Sequence, residues 1–321
     1  MNKKSILLDK TLIIFIILLF VSISFNQSTA IYNVKKSSIT ISNGNILYVG
    51  GSGEGNYSKI QDAIDNATNG DIIFVYDDSS PYNESLNINK SITFYGENMT
   101  TTIIHGCSGI NSDYVVFNNF TFWSGYPGLS IKGFSNNVIE NCVFNKSSIT
   151  LGKSNDNIIR NCSFYNCEFG SLLISNSNNN EICYCDFFDG DNWWSGGTAI
   201  SIFGSRGIKL HHCVISRNFA GGLSAEFSVV QINYNNIFNN DGPGVSSGFL
   251  ASCDLRNNWW GSSLGPNVTL QGRFGRQFNV KIVDNGDLVF FWGRLLVVEF
   301  FRLFYLIPWL TEPVYDAGHQ I

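Results

Sequence analysis

The chain has 321 residues, of which 44% are hydrophobic and only 14% charged, with 26 Phe and 13 Tyr. This composition is too apolar for a disordered chain. Many Gly, Asn and Ser residues with only six Pro favour short strands joined by polar turns. The net charge of −5 argues against a nucleic-acid partner, because phosphate binding requires clustered Lys and Arg.

The N-terminus has the order of an export signal. Three lysines within the first ten residues precede the apolar run from Thr11 to Phe25 and the small residues that end at Ala30. This order predicts a signal peptide over residues 1–30 and then a linker over 31–44. An uncleaved membrane anchor is the alternative. In an exported protein, glycans could be attached to nine N-x-S/T sequons: Asn56, Asn66, Asn83, Asn89, Asn98, Asn119, Asn145, Asn161 and Asn267.

A short amphipathic helix is predicted next. Ser58 and Gln61 have the spacing of a capping box, and Gly70 is expected to end the helix. The apolar residues of one helical stripe are Ile60, Ala63, Ile64 and Ala67. We expect this helix to cap the first coil of a solenoid, because open sheet ends invite aggregation.

A six-residue pattern recurs from residue 117 to residue 260. Its first position is aliphatic or Phe, its sixth is bulky and apolar, and its fourth is Phe120, Cys142, Cys162, Cys185, Cys213, Asn235 or Asn258. The steps between copies are 22, 20, 23, 28, 22 and 23 residues. A period near 22 with β-type alternation predicts the coils of a parallel β-solenoid.

The same pattern predicts the interior. Positions four and six share a strand face, which we assign inward because position six is always apolar. Asn235 and Asn258 can then bond along the stack. The four cysteines of this structural ladder are interpreted as core, since stacked side chains have poor disulfide geometry. The cysteines outside the ladder are predicted to be exposed or paired: Cys107, Cys167, Cys183 and Cys253.

The 28-residue step indicates an inserted loop from Asp189 to Gly197. The acidic residues Asp186, Asp189 and Asp191 are the candidates for catalysis or for holding calcium, with an ordinary polar loop as the alternative. Trp193 and Trp194 are candidate ligand-binding residues, because exposed Trp stacks on sugars. The alternative is that they cover the base of their own loop.

Other metal sites are not expected. His211, His212 and Cys213 are consecutive, and neighbouring strand residues point to opposite faces, so His211 and His212 should not share an ion. The predicted metal set is therefore none, and calcium is the one possible cofactor.

The C-terminal region has a different composition. Leu288 to Leu310 is strongly apolar but contains Arg294, Glu299 and Arg302. We predict a β-helix with its cap over residues 45–261 and a C-terminal cap or extension over 262–321. Membrane contact would occur only through an uncleaved signal or this apolar segment.

Several motifs resemble known families. The segment Tyr57 to Gly106 combines IQDAID, GD before a strand, Y-x-E and K-S-I-T-x-x-G-E-N. It resembles the start of right-handed β-helix proteins of the pectin-lyase-like type, including pectinesterase-like and copper-site-maturation (NosD-like) families. NNWWG at Asn257 to Gly261 and PWLTEP at Pro308 to Pro313 resemble modules of adhesin-like exported proteins of methanogenic archaea. The resemblance implies an all-β, single-stranded right-handed parallel β-helix.

The implied activity is less specific than the fold. Asp186 to Gly190 (DFFDG) resembles the pectinesterase motif D-F-I-F-G, but that family's Q-D-T-L and L-G-R-P-W elements are absent. The leading hypothesis is a non-catalytic, adhesin-like scaffold, extracellular or on the cell surface, that contacts a polysaccharide, a cell-surface glycan or a protein. A polysaccharide-active lyase, hydrolase or pectinesterase-like enzyme working in the lateral groove is the first alternative. A NosD-like metal-maturation role is the second.

Overall fold

The computed structural model describes residues 44–190, 198–248, 251–273, 277–283, 304–305 and 310–320. The predicted signal peptide, the linker up to residue 43, Asp191, Trp193 and Trp194 lie outside the described residues, as does most of the apolar C-terminal run.

The described chain is built almost entirely from short strands. They are β1 (Ile46–Val49), β2 (Ile72–Val75), β3 (Asn87–Ile88), β4 (Thr93–Gly96), β5 (Ile103–Ile104), β6 (Ser108–Ile110), β7 (Val116–Asn118), β8 (Thr121–Lys132), β9 (Val138–Glu140), β10 (Val143–Gly152), β11 (Ile158–Arg160), β12 (Ser163–Tyr165), β13 (Leu172–Ser175), β14 (Glu181–Cys183), β15 (Asp186–Phe188), β16 (Ile200–Phe203), β17 (Arg206–His211), β18 (Val214–Ser216), β19 (Leu223–Glu226), β20 (Val229–Asn233), β21 (Asn236–Phe238), β22 (Val245–Ser247), β23 (Ser252–Asp254), β24 (Asn267–Arg273), β25 (Gln277–Val283) and β26 (Phe304–Tyr305).

The strands form three faces of a coil. The first face is the sheet β1-β2-β4-β7-β9-β11-β14-β17-β20-β23-β26. The second face contains β5, the start of β8 and β10, then β12, β15, β18 and β21. The third face contains β3, β6, the end of β8 and β10, then β13, β16, β19 and β22. Because β8 and β10 run through both, the second and third faces are one sheet.

Pairing between successive coils is parallel, and the solenoid has about nine turns. The all-β parallel solenoid predicted from the repeat is therefore confirmed. Antiparallel pairing occurs where the hairpin of β24 and β25 joins β22. At the same end, β26 adds to the first face beside β23. None of the described helices is long and apolar enough to cross a membrane.

Like side chains stack on like inside the coil. Phe122, Phe144, Phe164 and Phe187 are the middle residues of successive second-face strands and are fully buried. Their rings are nearly parallel, with centroids 4.9, 4.7 and 4.7 Å apart. That spacing matches the distance of about 4.8 Å between neighbouring strands, so the backbone itself sets the ring stack.

The structural ladder lies immediately before these strands. All of its members are fully buried: Phe120, Cys142, Cys162, Cys185, Cys213, Asn235 and Asn258. The amide of Asn235 donates to Asn258 Oδ1 at 3.0 Å. A second buried amide chain runs from Asn137 to Asn157 and on to Asn180, at 3.1 and 3.0 Å. These bonds satisfy polar groups that burial would otherwise penalise.

The first and second faces meet at a sharp corner. One residue per coil there has a left-handed backbone, with φ between 51° and 65°: Asn119, Asn141, Asn161, Tyr184, His212, Tyr234 and Asn257. Asn tolerates this conformation better than most residues, which explains its frequency in the repeat. The corner turns the chain between two strands, so the six-residue pattern is not one continuous strand.

The helix α1 (Ile60–Asn66) buries Ile60, Ala63 and Ile64 and packs against β1 and β2. The predicted capping box is wrong, because the N-cap is Lys59 and no side chain caps it locally. Instead the carboxylate of Glu84 accepts from the backbone N–H groups of Ile60 and Gln61 at 2.9 and 3.0 Å.

The other end of α1 is held in the same non-local way. Lys90 Nζ donates to the carbonyls of Ile64, Asp65 and Ala67 at 2.8 to 2.9 Å. The Y-x-E and K-S-I-T motifs thus each supply a charge that suits the helix end they meet.

The cysteines outside the ladder differ from the prediction in three of four cases. Cys107 is exposed, but Cys167, Cys183 and Cys253 are buried, and none is paired. Cys253 occupies an inward position of the first face beside Val230. Cys183 points outward but lies between the longer side chains of Arg160 and His211 on the neighbouring coils, which cover it.

Candidate functional site

The outer side of the second face carries a line of aromatic residues. Alternation along each strand buries the central Phe or Ile and turns its neighbours outward. The third residue of each second-face strand, from β8 to β21, is in turn Trp123, Asn145, Tyr165, Phe188, Ser216 and Phe238. Trp123 is 41% exposed. Four of these six positions are therefore aromatic, and Asn145 and Ser216 interrupt the line.

Trp123, Asn145, Tyr165 and Phe188 line a groove of about 490 Å³ on that outer side. Trp123 lies near one end, where its ring is 5.3 Å from that of His105. Tyr165 and Phe188 stack at an interplanar angle of 9° with centroids 5.8 Å apart. The guanidinium of Arg217 lies 5.3 Å from the centre of the Phe188 ring. The groove is thus an elongated surface of ring faces that follows the solenoid axis.

The polar side chains of the groove are hydroxyl groups, one amide and the ring of His319. The carbonyl oxygen Oδ1 of Asn145 is buried and has no hydrogen-bond partner among the described residues. Ser163 also lines the groove, next to Tyr165 on β12. The described lining contains no Asp, Glu, Lys or Arg. Ring faces with isolated hydroxyl and amide groups suit a sugar, which has an apolar face and a polar rim.

A C-terminal strap, defined as residues 310–320, lies along the corner beside this groove. Its backbone bonds to successive coils: Leu310 N–H to Asn258 O at 2.9 Å, Val314 N–H to Asn236 Oδ1 at 2.7 Å and Gly318 N–H to His212 O at 2.7 Å. Gln320 completes the contact with Asn161. Through His319, the strap contributes to the groove lining.

The strap covers one of the predicted acidic residues. Asp186 is half-buried on β15, and its carboxylate accepts from the backbone N–H of His319. A Cβ placed on Gly318 would lie only 2.6 Å from Asp186 Oδ1, so glycine allows this close approach. Burial raises the pKa of Asp186 above its usual range.

Asp189 has a different environment. It is exposed at a turn and forms a bidentate pair with Arg217, with N–O distances of 2.7 and 3.0 Å. The hydrogen bond from Arg217 lowers the pKa of Asp189. Asp186 and Asp189 thus have separate partners, and Asp191 lies outside the described residues. The three-Asp calcium site stays a prediction.

The expectation that His211 and His212 face opposite ways is wrong. His212 lies at the left-handed corner, with φ 54°, so strand alternation does not apply to it. The two Nδ1 atoms approach to 3.0 Å. On the other side of His211, Nε2 lies 3.0 Å from Glu181 Oε1, and Cys183 completes a cluster on the outer side of the first face. Cys213 itself points into the core.

The groove aromatics were not singled out from the sequence. Trp123, Tyr165 and Phe188 each directly follow an inward Phe, and this pairing was the available signal. The inward positions repeat the same residue types from coil to coil, whereas the outward positions do not. Trp193 and Trp194, which were singled out, stay predictions.

Residues 103–260 match the family model described as a right handed beta helix region. A curated Arabidopsis thaliana relative, "Probable pectinesterase/pectinesterase inhibitor 17", is 27% identical over 169 residues. This match covers 51% of the chain and only 30% of the relative's length.

Two solved structures are similar to the chain at low identity. One is the pectate lyase Pel9A, with 13% identity, a TM-score of 0.46, and coverage of 68% of this chain and 70% of the lyase. Another is a pectin methylesterase from Aspergillus niger, with 17% identity, a TM-score of 0.43, and coverage of 66% and 84%.

Proposed function

We propose that this right-handed β-helix binds a linear polysaccharide in the groove of its second face, as an exported, non-catalytic surface protein. The observation that carries the proposal is the groove of Trp123, Tyr165 and Phe188 with the unpartnered Asn145 oxygen. Because the described lining has no carboxylate or ammonium group, we propose a neutral or esterified polymer over a highly charged one.

The test is a binding panel on the full chain. It compares highly esterified pectin, de-esterified pectin and neutral polysaccharides by affinity electrophoresis and calorimetry. We expect Trp123→Ala and Tyr165→Ala each to weaken binding of the preferred polymer about tenfold, the loss of roughly 1.4 kcal/mol of ring stacking.

The matched control is Phe203→Ala. Phe203 is an aromatic residue of β16 on the third face and is 44% exposed, close to the value for Trp123. The Phe203→Ala variant should bind the polymer with the affinity of the wild type. Equal affinity of the wild type and both groove variants would exclude the groove as the site, even if the protein binds a polymer elsewhere.

A second candidate function is polysaccharide cleavage or de-esterification. It is favoured by Asp186, a carboxyl group of raised pKa at the edge of the groove, and by similarity to a relative named a pectinesterase. The assay measures methanol release and unsaturated or reducing ends from pectin and alginate, with and without calcium. Turnover that is lost in Asp186→Asn but kept in Asp189→Asn would replace the non-catalytic proposal.

Export and the role of α1 belong to the same proposal. We infer cleavage after Ala30, which mass spectrometry of the protein secreted by a host cell would test by its N-terminus. We also infer that α1 caps the first coil, supported by its burial against β1 and β2. Glu84→Ala should then lower the free energy of unfolding by about 1 kcal/mol, as a lost cap does. An unchanged urea midpoint would contradict that role.

A further inference from the structure

A cluster of three possible metal-binding side chains lies on the outer side of the first face. Glu181 and Cys183 are the two outward residues of β14, because Ile182 between them is buried in the core. β17 pairs with β14 in register, so His211 lies directly beside Cys183. The three donor atoms, Glu181 carboxylate oxygen, Cys183 Sγ and a His211 ring nitrogen, all lie within 4.8 Å of one another.

We propose that Glu181, Cys183 and His211 bind one Zn²⁺ ion. Zinc binds sulfur at ~2.3 Å and nitrogen or oxygen at ~2.0–2.2 Å, so its ligand atoms lie ~3.3–3.8 Å apart in a tetrahedral shell. Glu181 Oε1 and His211 Nε2 are already 3.0 Å apart. The donor atoms all lie within 4.8 Å of one another, so small side-chain rotations would bring the set to that geometry.

The ligand types select the class of metal. Calcium and magnesium take shells of oxygen atoms, whereas this set offers one sulfur, one nitrogen and one oxygen. With the thiolate and carboxylate both ionised, the set carries two negative charges that a divalent ion neutralises. A neutral complex suits Cys183 and His211, which are 6% and 5% exposed.

The surroundings orient the histidine. When Nε2 binds the metal, Nδ1 carries the proton and donates to Nδ1 of His212 at 3.0 Å. The His212 ring is held between Tyr184 and Tyr234, at centroid distances of 5.0 and 5.7 Å. Metal-binding histidines characteristically have such a partner, which fixes the tautomer and the ring plane.

Two cationic side chains flank the site, and the charge of each is compensated in a way that does not compete with a metal ion. Arg160 lies beside Cys183 but is already paired with the carboxylate of Glu140. Lys209 is in register with Glu181 and is exposed, so water screens its charge. The Glu181 side chain is 39% exposed, which leaves the fourth coordination position open to water or to a small ligand.

The test is titration of the reduced full chain with Co²⁺ and then Zn²⁺. We expect one equivalent of Co²⁺ to produce a thiolate-to-cobalt charge-transfer band and tetrahedral visible bands, which Zn²⁺ then removes. Cys183→Ser should lose the charge-transfer band, and Glu181→Gln should weaken binding at least tenfold. His212→Ala should reduce affinity about tenfold, the typical loss for an outer partner of a metal-binding histidine.

The controls separate the site from other thiols and from misfolding. Cys107→Ser removes an exposed cysteine and Cys253→Ser a buried one, so both variants should keep the band. Circular dichroism without metal must show the wild-type fold for each variant that loses binding. Absence of the band in the wild type, or its persistence in folded Cys183→Ser, would overturn the proposal. Neither outcome depends on polysaccharide binding.

Discussion

The outer sides of the first and second faces belong to the same coils but differ in chemistry. On the first face, polar bonds link β7, β9 and β11: Asn118 donates to Glu140 at 2.8 Å, and Arg160 Nε donates to Glu140 at 2.6 Å. On the second face, the equivalent positions are aromatic, as at Tyr165 and Phe188. One left-handed corner residue per coil separates the two surfaces. A repeated interior therefore leaves each outer surface free to acquire its own ligand.

The sharpest test of this separation is a pair of adjacent residues on β12. Phe164 belongs to the buried ring stack, so Phe164→Ala should lower the free energy of unfolding by about 3–5 kcal/mol. Tyr165 points outward, and Tyr165→Ala should lower it by only about 1 kcal/mol while weakening polysaccharide binding. Urea unfolding followed by circular dichroism measures both. Similar losses would show that the outer ring is part of the folding core.

A smaller difference is expected between two ion pairs on the two faces. Glu140 is almost fully buried, so Arg160→Ala leaves its charge without a cation and should cost about 2 kcal/mol. Arg217 and Asp189 form an exposed pair on the second-face side, and Arg217→Ala should cost at most about 0.5 kcal/mol. Urea midpoints at low and high salt give both values, and salt should reduce only the Arg217 effect. Equal losses of stability in the two variants would contradict the difference between the buried and the exposed ion pair.

The smallest expected effect is on the pH dependence of the free energy of unfolding, through Asp186 beneath the strap. Because burial raises the pKa of Asp186, the folded state keeps a proton that the unfolded state has lost. Stability from this residue is therefore full below the ordinary Asp pKa of about 4 and declines as pH rises through the raised value. Asp186→Asn removes that decline, so its stability relative to the wild type should increase with pH.

The neighbouring carboxylate provides a control of opposite sign. Arg217 lowers the pKa of Asp189, so this residue contributes stability above the ordinary Asp pKa that is lost as pH falls. Asp189→Asn should therefore lose stability relative to the wild type as pH rises. Urea unfolding from about pH 3 to about pH 7 measures both variants. Parallel curves for the two variants would contradict the burial of Asp186.

The inward half of the fold could be predicted from the sequence because stacking forces it to repeat. Phe144 and Phe164 occupy equivalent places, and the same place on the later coils holds the bulky apolar residues Ile215 and Ile237. The outward half has no such constraint. Trp123 and Asn145 are neighbours in one groove although their residue types share nothing. The pairing of an inward Phe with an outward aromatic residue is therefore interrupted at Asn145, so the sequence carries only a broken signal for the groove.

The other sequence-based predictions that were wrong concern residues whose environment is set by non-local contacts. His212 occurs in a run that looks like a strand, and only its left-handed backbone turns it towards His211. Glu84 lies more than twenty residues from the helix it caps, so local spacing suggested Ser58 instead. Cys183 is buried by side chains of two other coils. Each case needs the register between coils, which the six-residue pattern alone does not provide.

The even ring spacing along the second face has an evolutionary consequence. Since each coil contacts only its two neighbours, an insertion or deletion that preserves the fold should comprise one complete turn. A partial turn would move every later Phe ring out of the buried stack. Removal of a whole turn would also bring Trp123 and Phe188 closer by one strand spacing, about 4.8 Å. If the groove binds a polymer as proposed, relatives that differ by whole turns would fit polymers of different repeat length while keeping the same interior.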